Sequence, residues 1–219
     1  MIHTTQKIKI SILVDNQNSW IVPCLGELIS LIPAKYKLII VYKHKDVPKG
    51  EILFLIGCTR IISKKTLSLN KHNIVIHESD LPKGKGWSPV SWQILEGENR
   101  IPIVVFEATE ELDAGDIYLK DYIYLDGTEL YEEIKNKQGK KTISLILKFL
   151  EKYPNIIAIP QANIPETYYE RRSTKNDQLD INKSIKENFN LLRIVNNERY
   201  PAWFEYKGTK YIVKIYKDN

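Results

Sequence analysis

Cysteine is nearly absent from this chain: Cys24 and Cys58 are the only two in 219 residues. They form neither a CxxC nor a Cys/His spacing, so a zinc site is not expected and a disulfide framework is excluded. No apolar run reaches membrane-spanning length, and no basic-then-apolar leader opens the chain. The cytosol is therefore the expected compartment, with no membrane partner. The Gly-rich dinucleotide fingerprint is missing after the first strand. "KGKG" (83–86) follows the fourth strand and lacks a third glycine. Charge is not concentrated either. The formal net charge is +5 with lysines spread along the chain, which tolerates an anionic small ligand without demanding nucleic acid. Widespread surface lysine accounts for the same balance.

What is present is enough for a core. Apolar residues make up 43% of the chain, which suits one generous domain or one with a small appendage. Short, continuous apolar runs predict strands at 7–14, 37–42, 51–57, 73–77, 101–108 and 116–126. Between them, helical spacing appears at 21–32, with Pro23 in its first turn, and at 89–97 behind Pro89. A long amphipathic helix is predicted over 127–152 with an interruption at Gly139. Strands of this kind alternating with helices indicate an α/β domain, Rossmann-like, around a mostly parallel sheet. The predicted division is a core over 1–153 and a small C-terminal α+β region over 154–219. The latter holds a helix at "IKENFNLLRIV" and a hairpin turning at Lys207–Gly208.

In open α/β sheets ligands collect at the carboxyl ends of strands. Histidine is scarce, four in all, yet His77 stands at such an end, followed by Ser79 and the turn-rich loop 80–88. A second polar turn, Asp113-Ala114-Gly115, follows the next strand, where glycine lets a backbone approach closely. A histidine with a carboxylate in reach can act as a base or a cationic donor. Taken alone, a histidine at a strand end is more often a structural hydrogen-bonding group.

Together the pieces resemble a family. "HESDLPKGKGWSPVSWQILEG" looks like the formyltransferase motif of His, Ser, Leu-Pro, a basic residue, Gly and a Trp-containing helix, and "ELDAGDI" matches its Asp-x-Gly turn. The segment from "ETYYERRS" to "KYIVKI" is similar to the C-terminal part of formyltransferases acting on nucleotide-linked amino sugars. The likeness runs over roughly residues 50–216. It implies transfer of a formyl group from N10-formyltetrahydrofolate to a primary amine. His77 and Asp113 fall on two of three catalytic positions, and the folate would lie against Ser79, Leu81, Pro82, Gly86, Glu111, Leu112 and Gly115. The third position, an Asn two residues before the His that supplies a donor to the oxyanion, is Val75 here. Asn73 lies about 7 Å too far back along the strand to replace it. The candidate replacement donors are Ser79, Lys83, Lys85 or a backbone N–H. Pro102 and Glu107 also depart from the family pattern.

Transfer-RNA formylation would call for a longer chain and a concentrated basic face. Arg171, Arg172 and Arg193 instead offer forks for a diphosphate, and Trp203 a ring for a base, although packing of a small C-terminal unit explains the aromatics equally. The resemblance is closest to the pseudaminic-acid subgroup, whose acceptor would be a UDP-linked 4-amino-4,6-dideoxy-N-acetylhexose. The rival readings are peptide-synthetase-type aminoacyl formylation, a formyltetrahydrofolate hydrolase, and a catalytically silent nucleotide-sugar-binding protein.

Overall fold

β-Branched apolar runs form strands whose two faces are both covered, and these runs make the sheet of this protein. The computed structural model describes residues 6–218. The first half contains β1 (Ile8–Leu13), α1 (Leu25–Leu31), β2 (Tyr36–Val41), β3 (Gly50–Leu55), α2 (Lys64–Leu67) and β4 (Asn70–His77). It continues through β5 (Lys85–Gly86), α3 (Pro89–Leu95), β6 (Arg100–Glu107), β7 (Ile117–Tyr124) and α4 (Tyr131–Lys152). The remainder holds β8 (Tyr168–Tyr169), α5 (Ile185–Ile194), β9 (Ala202–Tyr206) and β10 (Thr209–Val213).

The main sheet runs β2-β1-β3-β4-β6-β7. The pairs β1–β2, β1–β3 and β3–β4 are parallel, while β4–β6 and β6–β7 are antiparallel. This is the predicted α/β class, with an antiparallel edge added to a parallel core. Ile143, Ile146, Phe149 and Leu150 of α4 cover one face against Ile10, Ile12, Phe54, Ile74, Ile103 and Val105. The Phe54 and Phe149 rings meet edge to face at 5.8 Å. A smaller cluster of Leu13, Val41, Val47, Leu53 and Leu55 closes the other face.

Two local expectations change. The 21–32 helix divides into a 3-10 turn at Val22–Cys24 and then α1, because Pro23 has no N–H to continue an α-helical ladder. The long helix runs unbroken through Gly139. A Cβ there would lie 2.4 Å from Cys24 Sγ, so this glycine is where α4 lies against the turn rather than a hinge. The helix also starts later than predicted. Residues 126–130 form a turn in which Glu129 accepts from Asp126 N–H at 2.8 Å and Gly127 N–H at 3.1 Å.

The C-terminal region is sewn to the core. β8 pairs in parallel with β5, and Ile159 bridges to Ile117 of β7. Ser184 caps α5, accepting from Glu187 N–H while Glu187 accepts from Ser184 N–H. The hairpin turn is the predicted one, with φ of +49° at Lys207 and +76° at Gly208. α5 also contributes Arg193, which is only 1% exposed. Arg193 Nη2 donates to Glu129 Oε2 at 3.2 Å, Nε to Glu129 O at 3.1 Å, and Nη1 to Asn99 and Asn190 Oδ1 at 3.0 and 3.1 Å.

Removing one partner of such a buried pair leaves the other charge without compensation. Arg193→Ala is expected to lower the unfolding free energy by about 3 kcal/mol, read from urea melts. A loss below about 1 kcal/mol would show that the pair is not what holds α5 to the core.

Candidate active site

His77 is the last residue of β4, set by the register that pairs Leu55 with Val75 and His77 with Val104. The chain then doubles back through Gly84 (φ +71°) and Gly86 (φ +98°). This return brings the Gly84 carbonyl 2.8 Å from His77 Nε2. A carbonyl can only accept, so Nε2 carries the proton in this arrangement and Nδ1 is the basic nitrogen. Gly86 cannot carry a side chain: a Cβ would stand 2.5 Å from the Tyr169 carbonyl.

Asp113 reaches the same place from the turn after β6. It adopts a left-handed φ of +50°, a conformation that Asp tolerates better than most residues. Its Oδ2 accepts from Gly86 N–H at 2.9 Å and stands 3.9 Å from His77 Nε2. Two devices hold the turn. A Cβ at Gly115 would fall 1.7 Å from the Glu107 carbonyl, so only glycine permits that approach. Gln161 Nε2 also donates to the carbonyls of Asp113 and Gly115, each at 2.9 Å.

These groups open onto a cleft of about 700 Å³. Its apolar side includes Ile62, Val75, Phe106, Ala108 and Leu112, and its aromatic and cationic side includes Trp20, Tyr131, Lys135, Arg172, Arg199 and Tyr200. His77, Gly86, Glu111, Leu112, Asp113, Arg171 and Arg172 all line it. Ser79, Leu81, Pro82 and Gly115 are not among its lining residues. Ser79 and Leu81 are buried in the returning loop, and Gly115 braces the turn from behind.

Two predicted binding residues are corrected. Arg193 does not line the cleft, because all of its nitrogens serve the Glu129, Asn99 and Asn190 network. Trp203 is also outside it. Its Nε1 donates to Thr174 O at 2.7 Å and Lys210 Nζ lies 4.1 Å over its ring, so it packs the hairpin onto the 174–177 turn. Nearby, Tyr169 stacks on Trp92 of α3, with centroids 6.3 Å apart.

The donor lost at Val75 is not restored by its nearest candidates. Asn73 turns its amide to Leu67 O at 3.0 Å. Lys85 is fully buried and donates to Glu166 Oε1 at 2.5 Å. Ser79 Oγ is buried without a partner, outside the cleft lining. The Cys58 thiol, on the cleft wall, is pushed up to about 12 by burial and by the nearby Asp15 carboxylate, which disfavours the thiolate.

Sequence reasoning missed Glu78, Lys135, Gln138 and Gln161. Gln138 donates from Nε2 to Glu78 Oε1 at 2.7 Å, and Lys135 Nζ donates to Gln138 Oε1 at 2.9 Å. The available signal was a polar pair three residues apart next to Ile134 on the apolar side of α4. Gln161 gives no signal, since it sits in irregular chain.

The sequence profile of the family described as "Formyl transferase" matches residues 41–150, half of the chain. A methionyl-tRNA formyltransferase from Clostridium beijerinckii is 28% identical over 181 residues, covering 81% of this chain and 57% of its own. The chain spans a little over half the length of the curated relatives it matches. Among solved structures, the methionyl-tRNA formyltransferase from Clostridium thermocellum has a TM-score of 0.81 at 21% identity, covering 97% of this chain and 94% of that one. A 4-N formyltransferase from Francisella tularensis has a TM-score of 0.75 at 18% identity, covering 98% and 100%. Both likenesses speak for the fold.

The Gly115 contact makes a prediction. Gly115→Ala is expected to push the 108–116 turn away from the loop and release the Gly86 amide from Asp113. Hydrogen exchange at Gly86 should then quicken by about tenfold or more. Unchanged protection would mean that the turn is not held by this approach.

Proposed function

The chain belongs to the formyl transferase family, and we propose on that premise that it carries a formyl group from N10-formyltetrahydrofolate to the primary amine of a nucleotide-linked amino sugar. Folate is the family's donor. The observation that carries the reading is the pair lining the cleft: a histidine whose Nε2 is bonded to the Gly84 carbonyl and a carboxylate 3.9 Å from that nitrogen. The residues fit the donor in kind. Val75, Phe106, Ala108 and Leu112 offer an apolar wall for a flat bicyclic ring, and residues 86–88 and 108–113 border it. The bound folate supplies the formyl carbon.

Transfer forms a bond from the acceptor nitrogen to that carbon and breaks the bond from the carbon to the folate nitrogen. The attacking amine must lose a proton, and the leaving nitrogen must gain one. In our reading His77 accepts the first and returns it, and the imidazolium so formed is stabilised by Asp113. Asp113 keeps its place through the Gly86 N–H whether or not His77 is charged. With an apolar residue at position 75, a cationic His77 would also be the group to stabilise the formyl oxygen as it gains negative character.

Support for the acceptor comes from Arg171 and Arg172, which line the cleft and suit phosphate oxygens. The finer reading is a UDP-linked 4-amino-4,6-dideoxy-N-acetylhexose of pseudaminic-acid type. The names of the sequence relatives favour a second reading, formylation of methionyl-tRNA.

One assay separates these readings. The protein is incubated with N10-formyltetrahydrofolate and a panel of nucleotide amino sugars, with methionyl-tRNA as a parallel arm, and products are read by mass. One added formyl group on an amino sugar is expected. Product on tRNA alone would overturn the substrate, donor consumed without any acceptor would reveal a hydrolase, and binding without turnover would reveal a silent site. His77→Asn is expected to lower kcat by about 100-fold to 10,000-fold, and Asp113→Asn by about 100-fold. Full activity in His77→Asn would overturn the mechanism.

A further inference from the structure

We infer that Lys135 and Arg172 form a phosphate-binding subsite on the wall that α4 and the 171–177 segment give to the cleft. It would take the diphosphate of a nucleotide-linked acceptor, and it rests on the function proposed above.

The argument begins with an imbalance of charge. Lys135 lies on the first turns of α4 beside the buried Ile134 and lines the cleft. Its Nζ bonds to a neutral group, the Gln138 amide oxygen, at 2.9 Å. No carboxylate pairs with it among the described residues; Glu78 is bonded instead to the other end of the same amide. The rings of Trp20 and Tyr131 stand 5.9 and 5.6 Å from the amine. Withdrawal from water brings its pKa down to about 8, a shift that Glu78 opposes and Arg172 reinforces.

Arg172 supplies the second cation. Its Nη2 donates to Asp177 Oδ1 at 2.6 Å and to Asn176 O at 3.3 Å. Its Nη1 is buried and has no partner. One guanidinium edge is thus fixed by Asp177 while the other nitrogen is left without an acceptor. A partly desolvated cation without a counter-ion is costly, and so is a buried N–H without an acceptor. One anion with several oxygens would answer both. Phosphate suits the combination of an arginine edge and a compact ammonium better than a lone carboxylate does. Lys85, by contrast, is buried with its amine on the Glu166 carboxylate.

The folate tail carries carboxylates, so the test must separate the two anions. Binding of UDP and of tetrahydrofolate to the full chain would be measured by calorimetry for the wild type, Lys135→Met and Lys135→Arg. The methionine variant keeps an unbranched side chain, one atom shorter, and removes its charge. It is expected to weaken UDP by about tenfold or more, while Lys135→Arg stays within about threefold. Tetrahydrofolate affinity, expected to be unchanged in both variants, also reports that the cleft is folded. Wild-type affinity for UDP in Lys135→Met would overturn the subsite and leave the proposed function standing. A loss of tetrahydrofolate in place of UDP would assign the cations to the folate carboxylates. A wild type that binds no UDP and formylates only methionyl-tRNA would remove both the subsite and its premise.

Discussion

Three residues, Gly84-Lys85-Gly86, join everything that matters in this molecule. The Gly84 carbonyl accepts a hydrogen bond from His77 Nε2–H, and the Gly84 N–H goes to Thr167 Oγ1 at 2.8 Å. Lys85 N–H bonds to Thr167 O at 2.9 Å, and its amine is buried on Glu166. Gly86 N–H goes to the Asp113 carboxylate, and Trp87 N–H to Tyr169 O at 3.0 Å. The tripeptide therefore ties the end of β4, the Asp113 turn and the C-terminal region at one point. Its backbone groups have alternating partners, as a strand requires, and its glycines permit an approach that a side chain would block.

The same chemistry is used in two ways across the molecule. Arg193 is surrounded by acceptors and serves the fold, linking α5 to the core through Glu129. Arg172 and Lys135 are incompletely satisfied and face the cleft. A residue's type does not separate these roles; the completeness of its partners does. Burial of a fully bonded guanidinium supports structure, whereas a desolvated cation with a missing acceptor is a place for a ligand.

The sheet was legible because its strands are short apolar runs, and the helices because their apolar residues recur at helical spacing. The hairpin at Lys207–Gly208 was legible because glycine at a left-handed position is a local demand. Misreadings fell where distant chain decides. Gly139 looked like a helix breaker and is a packing contact with Cys24, more than 100 residues away. Arg193 and Trp203 looked like ligand residues and are held by Glu129 and Thr174. Lys135, one lysine among many, was invisible until α4 was laid against Glu78.

By itself, then, the sequence determined the α/β class and the place of His77 at a strand end, each from short-range rules of periodicity and turn geometry. The pairing of its loop with an Asp-x-Gly turn was what the family resemblance implied. Only the tertiary structure decided which nitrogen of His77 carries the proton, that Asp113 reaches it through Gly86, and which cations are left for a ligand. Those outcomes depend on groups that meet only once the returning loop, the Asp113 turn and α4 are folded against the end of β4, and no local pattern encodes a partner's distance.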